Sequence, residues 1–77
     1  MSLAEALPGG KFRIVDFTGG VEMRLRLMHR GLNIGDIVRV LGSGPMRGPV
    51  YVENLATGVR LVLGRGVASR ILVEPVR

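Results

Sequence analysis

His29 is the one histidine of this 77-residue chain, and cysteine is absent. A specific metal site needs several nitrogen, sulfur or carboxylate ligands converging on one point. The carboxylates available, Glu5, Asp16, Glu22, Asp36, Glu53 and Glu74, are dispersed with no ligand-like spacing, so no specific metal site is expected. Nucleophilic catalysis is no better served: Ser2, Ser43 and Ser69 have no evident base with an orienting partner, and a lone histidine does not make a triad. The segment GSGPMRGP over residues 42–49 invites a phosphate-cradle reading. It lacks the GxxxxGK[ST] pattern, however, and opens onto a strand rather than a helix. A hairpin loop whose prolines fix φ is the simpler account. No cofactor is expected, and the chain reads as a non-enzyme.

The elements that would position any site follow from periodicity and turn chemistry. Ser2 to Leu7 reads as a short helical turn, with Ser2 as cap and Glu5 as its capping-box partner, ended by Pro8-Gly9-Gly10. Lys11 to Phe17 alternates as a strand, Phe12 and Ile14 on one face and Arg13 on the other. Thr18 or Gly19 can then cap an amphipathic helix that runs to Gly31, a residue free to take φ > 0 just past a helix end. Leu32 sits where an apolar contact back onto the last turn accompanies such a cap, and Gly35-Asp36 turns the chain into a second strand to Leu41. Val50 to Leu55, Val59 to Leu63 and Ile71 to Val76 complete five strands, with one helical turn between Gly64 and Arg70. The expected fold is mainly β: one domain over residues 1–77, a small closed or nearly closed barrel with a helix inserted between the first and second strands.

Composition bounds the function classes. A chain this short buries only about 60% of the surface its unfolded form exposes, so its core must be economical. Apolar residues make up 47% and mean hydropathy is +0.34, but the longest apolar runs are of the length of Leu61-Val62-Leu63, too short to span a membrane. The first residues lack a basic stretch followed by an apolar core, so no signal peptide is expected, and the cytoplasm is the expected location. The absence of cysteine fits a reducing compartment. Net charge is +5 with a sequence pI of about 11.4, carried by one lysine and ten scattered arginines, which reads as a solvated surface. Phe12, Phe17 and Tyr51 are few aromatics for a surface that stacks bases.

At 100° per residue the helix has two apolar flanks. Val21, Leu25, Met28 and Leu32 fall on one, and Met23 and Leu27 fall on the other beside Arg26 and Arg30. One flank must cover the barrel mouth; the other is buried as well or offered to a partner. On the residues alone, Val21, Leu25, Met28 and Leu32 are taken as the inward face.

Taken in order, several segments resemble the FeoA family, small accessory proteins of bacterial ferrous-iron uptake. They are Leu3 with Pro8-Gly9; Arg26-Leu27 followed by Gly31-Leu32 and Gly35; Pro45-Met46 followed by Gly48-Pro49-Val50; and Leu61 and Leu63 leading to Ala68, Ile71 and Val73. The resemblance covers nearly the whole chain and implies an SH3-like barrel, a fold shared with the C-terminal domain of iron- and manganese-dependent repressors of the diphtheria-toxin-repressor type. Position 30, usually apolar in the family, is Arg30, and position 34, often proline, is Ile34. In family register the apolar helix positions are 27 and 30, which leaves the inward face open between the two flanks.

The resemblance implies an accessory, regulatory role in ferrous-iron uptake, with iron and transition-metal association at the level of the family. The implied partner is FeoB, the membrane ferrous-iron transporter with a cytoplasmic GTP-binding domain, whose assembly or GTP cycle this protein would modulate. Association with the membrane would be through that partner alone, and a weak homo-oligomer is compatible with the sequence. The expected partner surface is Met23, Arg26, Leu27 and Arg30 together with Pro45 and Met46, aliphatic residues ringed by charge. The rival reading is a nucleic-acid module. Gly35-Asp36-x-Val38-x-Val40 followed by glycines also looks like a KOW-type barrel, but the inserted helix and the lack of a lysine-rich loop argue against it.

Overall fold

Alternation of apolar and polar residues builds β1 (Lys11–Phe17), in which Phe12 and Ile14 face inward while Arg13 and Val15 face solvent. A bulge against the last strand between Ile14 and Asp16 then resets the alternation and returns Phe17 to the core. The computed structural model describes all of residues 1–77. After β1 come helix α1 (Val21–His29), strands β2 (Ile37–Ser43), β3 (Val50–Asn54) and β4 (Arg60–Leu63), a single helical turn α2 (Arg65–Ala68), and β5 (Ile71–Val76). A 3-10 turn at Leu3–Glu5 precedes β1.

The strands form one antiparallel sheet in the order β4-β3-β2-β1-β5. A helix lies between the first and second strands, as expected. The two ends of the sheet share no ladder; α2 connects them in the chain, and its Ala68 is fully buried. β2 runs two residues beyond the expected Leu41. A bulge between Val40 and Gly42 absorbs the exposed Leu41 and lets pairing with β3 continue to Ser43. The core contains 14 side chains, including Ile14, Val38, Val40, Val52, Leu63 and Ile71 from the strands, Leu3 from the 3-10 turn, and Leu27 and Leu32 from the helix and its exit.

Both helical entries are settled locally. The Ser2 backbone N–H donates to the Glu5 carboxylate at 3.0 Å, and this bond, reinforced by the Ser2 hydroxyl, holds that exposed carboxyl below its ordinary pKa. α1 is entered through Gly20 at φ +91°, not through Thr18 or Gly19. Thr18 is engaged elsewhere: its N–H and its hydroxyl both donate to the Arg70 carbonyl, at 2.8 and 3.2 Å, tying the end of β1 to the start of β5. At Gly19 a Cβ would meet the Met23 sulfur, so the Met23 side chain packs into space left open by glycine at this turn.

One buried polar side chain joins three segments. Asn54, fully buried at the end of β3, donates through Nδ2 to the Gly31 carbonyl at 2.8 Å and to Asp36 Oδ2 at 2.9 Å, while its Oδ1 accepts from the Ala56 N–H at 3.0 Å. Asp36 Oδ2 also accepts from the Asn33 N–H at 2.9 Å. The helix exit, the turn into β2 and the β3–β4 hairpin are therefore fixed to one another by a single amide. Asn54→Leu, similar in volume, strips the donor from the Gly31 carbonyl and from Asp36. It is expected to lower unfolding free energy by about 1–3 kcal/mol in denaturant titration, with the midpoint moving and the m-value unchanged.

Candidate functional site: the outer face of the inserted helix

The orientation of α1 follows from how it ends. Arg30 is the C-cap, and Gly31 at φ +95° takes the left-handed position after it. The Leu32 N–H bonds the Leu27 carbonyl at 2.9 Å and the Gly31 N–H bonds the Met28 carbonyl at 3.0 Å. This is the Schellman pairing, in which an apolar residue two past the cap packs on the residue three before it. The pair brought together is Leu32 and Leu27, both in the core at 0% and 2% exposure.

The inward face is thus the opposite of the one expected from a 100° projection. Val21, Leu25 and Met28 point to solvent, at 73, 49 and 45% exposure, whereas Leu27 is buried and Met23 is half-buried against the core. The projection failed at Leu32. The left-handed residue at Gly31 reverses the chain, so Leu32 no longer continues the helical phase it shares on paper with Val21, Leu25 and Met28. Leu27, expected on the partner surface, belongs to the core instead.

The outer face is an apolar stripe of Val21, Leu25 and Met28, with the charged residues of the helix to either side of it. Arg24 reaches Asp16 on β1 at 3.1 Å, a half-exposed pair worth roughly 0.2–1 kcal/mol that holds the helix against the strand. Arg26 lies 3.8 Å from Glu22 one turn back, with both side chains largely in water. Met23 and Arg26 line a shallow groove of about 420 Å³, shared with Glu22, Val67 and Arg70, where α1 meets α2. Arg30, exposed, donates through Nη2 to the Val62 carbonyl of β4 at 3.0 Å. Burial at position 30 is not required by the fold: the guanidinium lies along the sheet end and satisfies a carbonyl there.

Pro45 and Met46 sit at the tip of the β2–β3 hairpin. Met46 is almost completely exposed, and it shares with Arg47 a left-handed backbone, φ 56° and 59°. Two such residues in succession, with the Gly48 N–H on the Pro45 carbonyl at 3.0 Å, form a type I′ turn without its usual glycine or asparagine. Arg65, which the sequence reading did not single out, supports this tip. Its Nε donates to the Arg47 and Gly48 carbonyls at 3.2 and 3.1 Å and its Nη1 to the Ala4 carbonyl at 2.7 Å. No local pattern announces such a role, since Ala4 lies 61 residues away in the chain.

The arrangement contains no set of three or more His, Cys, Asp or Glu side chains placed to hold an ion. Phe12 and Phe17 are buried, which leaves Tyr51 as the aromatic at the surface. No helix is long and apolar enough to cross a membrane.

These features coincide with a known family. The family model of the FeoA domain matches residues 1–75. The chain belongs to the FeoA family. Among solved structures, it is similar to a crystallised iron uptake regulatory protein FeoA at 34% identity, covering 99% of this chain and 96% of that one with a TM-score of 0.85. It is also similar to FeoA from Chlorobium tepidum at 28% identity, covering 100% and 71% with a TM-score of 0.88. The manganese-activated repressor ScaR shares the fold over 35% of its length, at 24% identity and a TM-score of 0.86. No curated protein sequence gives a significant match. The FeoA architecture is SH3-like, and membership of this family of small accessory domains implies an accessory role in ferrous-iron transport.

Truncation separates the two faces of the helix. Leu27→Ala is expected to cost about 2–5 kcal/mol in chemical denaturation, against no more than about 0.5 kcal/mol for Leu25→Ala. Gly31→Val, which forces a β-branched residue into the left-handed region, should cost on the order of 1–2 kcal/mol. An unchanged Leu27→Ala midpoint would place that side chain outside the core.

Proposed function

We propose that this FeoA-family protein binds the cytoplasmic part of a FeoB-type ferrous-iron transporter and modulates its assembly or GTP cycle, and that it does so without catalysis of its own. The observation that supports this reading most is the apolar stripe of Val21, Leu25 and Met28 on the solvent side of a nine-residue helix, with Arg24 on one flank and Glu22 and His29 on the other. Three adjacent apolar side chains lose water together when a partner covers them, and charged groups on the flanks set register and encounter rate more than final affinity. Met23 with Arg26 extends the surface into the groove beside α2, and Pro45 and Met46 offer a separate contact at the hairpin tip.

Cargo iron crosses the membrane through the partner in this account, and the present chain acts on the partner's nucleotide-dependent conformations by differential contact. Nucleic-acid binding fits less well. One exposed aromatic is a poor stacking platform, and the exposed arginines are drawn partly into contacts with Asp16, Glu22, Glu53 and Glu74.

Calorimetric titration against the purified cytoplasmic GTP-binding domain of the transporter, with and without nucleotide, tests the reading. Leu25→Asp combined with Met28→Asp should weaken binding by about 100-fold or more while lowering the melting midpoint only modestly, because both side chains are about half exposed. Met46→Asp should have a smaller effect. Wild-type affinity in the Leu25/Met28 double variant would reject the helix as the docking surface. Submicromolar RNA binding near physiological salt, in the absence of any transporter binding, would reject the function.

A further inference from the structure

We propose that the outer edge of β4 is a strand-addition site for an extended acidic peptide segment. It is a different surface from the stripe on α1 and does not rest on the reading given above.

A five-stranded sheet has two ends, and this chain treats them unequally. The β5 end is covered by the chain's own beginning: the Val73 N–H donates to the Met1 carbonyl at 2.8 Å, and Ser2 forms a bridge with Leu72. β4 has β3 on one side and no strand on the other. Its register is Val50 with Leu63, Val52 with Leu61 and Glu53 with Arg60, and the Asn54 N–H bonds the Val59 carbonyl at 2.8 Å. Antiparallel alternation therefore turns the backbone groups of Val59, Leu61 and Leu63 toward β3 and those of Arg60 and Val62 away from it. Of the four outward groups, the Val62 carbonyl is taken by Arg30 Nη2 at 3.0 Å. The Arg60 N–H, the Arg60 carbonyl and the Val62 N–H are directed at whatever lies beside the edge. Such a row is a template for a further strand.

Charge selects the occupant. Arg30 and Arg60 flank the edge, and Arg60 has Glu53 of the adjacent strand at 3.8 Å. Edge cations of this kind oppose pairing with a second copy, whose own Arg30 and Arg60 would meet them. A peptide with carboxylates at alternate positions meets the opposite situation. In extended conformation its acidic side chains fall on one face with the two guanidiniums, while its backbone bonds Arg60 and Val62. Its alternate apolar positions then fall on the opposite face, the side of half-buried Leu61 and buried Leu63. Arg30 yields the Val62 carbonyl at little cost, because a carboxylate is a stronger acceptor for a guanidinium than a neutral carbonyl. Arginine at position 30 thus caps the edge when it is empty and serves as an anchor when it is filled.

The test uses the full chain labelled with 15N and a capped heptapeptide of alternating Glu and Val, with the alternating Lys and Val peptide as control. The expected result is saturable binding of the acidic peptide, with shift changes and slowed hydrogen exchange centred on the Arg60 and Val62 amides, and none with the control. Val62→Pro removes an outward N–H without breaking a bond to β3, so it should weaken binding by about tenfold or more at an unchanged far-UV spectrum. Arg60→Glu should do the same by charge reversal, and it carries the test if the proline variant unfolds. Equal binding of both peptides, no binding up to about 1 mM, or shift changes centred on α1 would overturn the proposal. So would concentration-dependent dimerisation with protection of the same two amides, since the occupant would then be a second copy.

Discussion

The reversal at Gly31 is the constraint on which the rest depends. A left-handed residue there ends α1, sends the Leu32 N–H back to the Leu27 carbonyl and puts those two leucines together under the sheet. Asn54 then seizes the Gly31 carbonyl from the side of β3 and, through Asp36, fixes the turn that launches β2. Local conformation, apolar packing and a buried amide specify the same junction. Agreement across levels of this kind is what allows a short chain to hold one structure on a core of 14 side chains.

The same junction decides what is left outside. A nine-residue helix is marginal alone, and here one fully buried side chain, one half-buried methionine and the exit cap hold it in place. Burying Leu27 contributes roughly 1.5–3 kcal/mol. Because the helix needs so narrow a strip for attachment, three of its apolar residues remain free on the opposite side. An element anchored in this way leaves an outer face that can vary without disturbing the sheet. The hairpin tip follows another logic: Met46 is presented by a turn whose backbone is unfavourable for its residues, and Arg65 gathers the surrounding carbonyls to sustain it.

Much of this was legible in the sequence. Alternation around Phe12 and Ile14, the β-branched runs of β3 and β5, and the Gly31-Leu32 exit all lie where local chemistry put them, and the family resemblance rests on the same residues. What escaped was whatever depends on geometry across the chain. The inward face of α1 was misread by extending a helical projection through a residue that ends the helix; the cap itself carried the correction, since it pairs Leu32 with Leu27 and not with Met28. Bulges at Val15 and Leu41 shifted strand phase and length with no sequence signal of their own. Asn54 and Arg65 act on distant carbonyls, so each looked like an ordinary polar residue until the fold placed its acceptors; Arg30 was expected on the partner surface, but its bond to the Val62 carbonyl had no sequence signal.

The exit at Gly31 turns Leu27 inward and leaves Val21, Leu25 and Met28 exposed, and these are the side chains we propose meet a FeoB-type transporter. The most direct measurement is a 15N and methyl NMR titration of this protein with the transporter's cytoplasmic domain. The account predicts that the largest early shifts fall on Val21, Leu25 and Met28 and the amides of Arg24 and Arg26, while the Leu27 and Leu32 methyls keep their core positions. Shifts confined to β1 and β5, or a Leu27 methyl exposed to a soluble paramagnetic agent in the free protein, would contradict it.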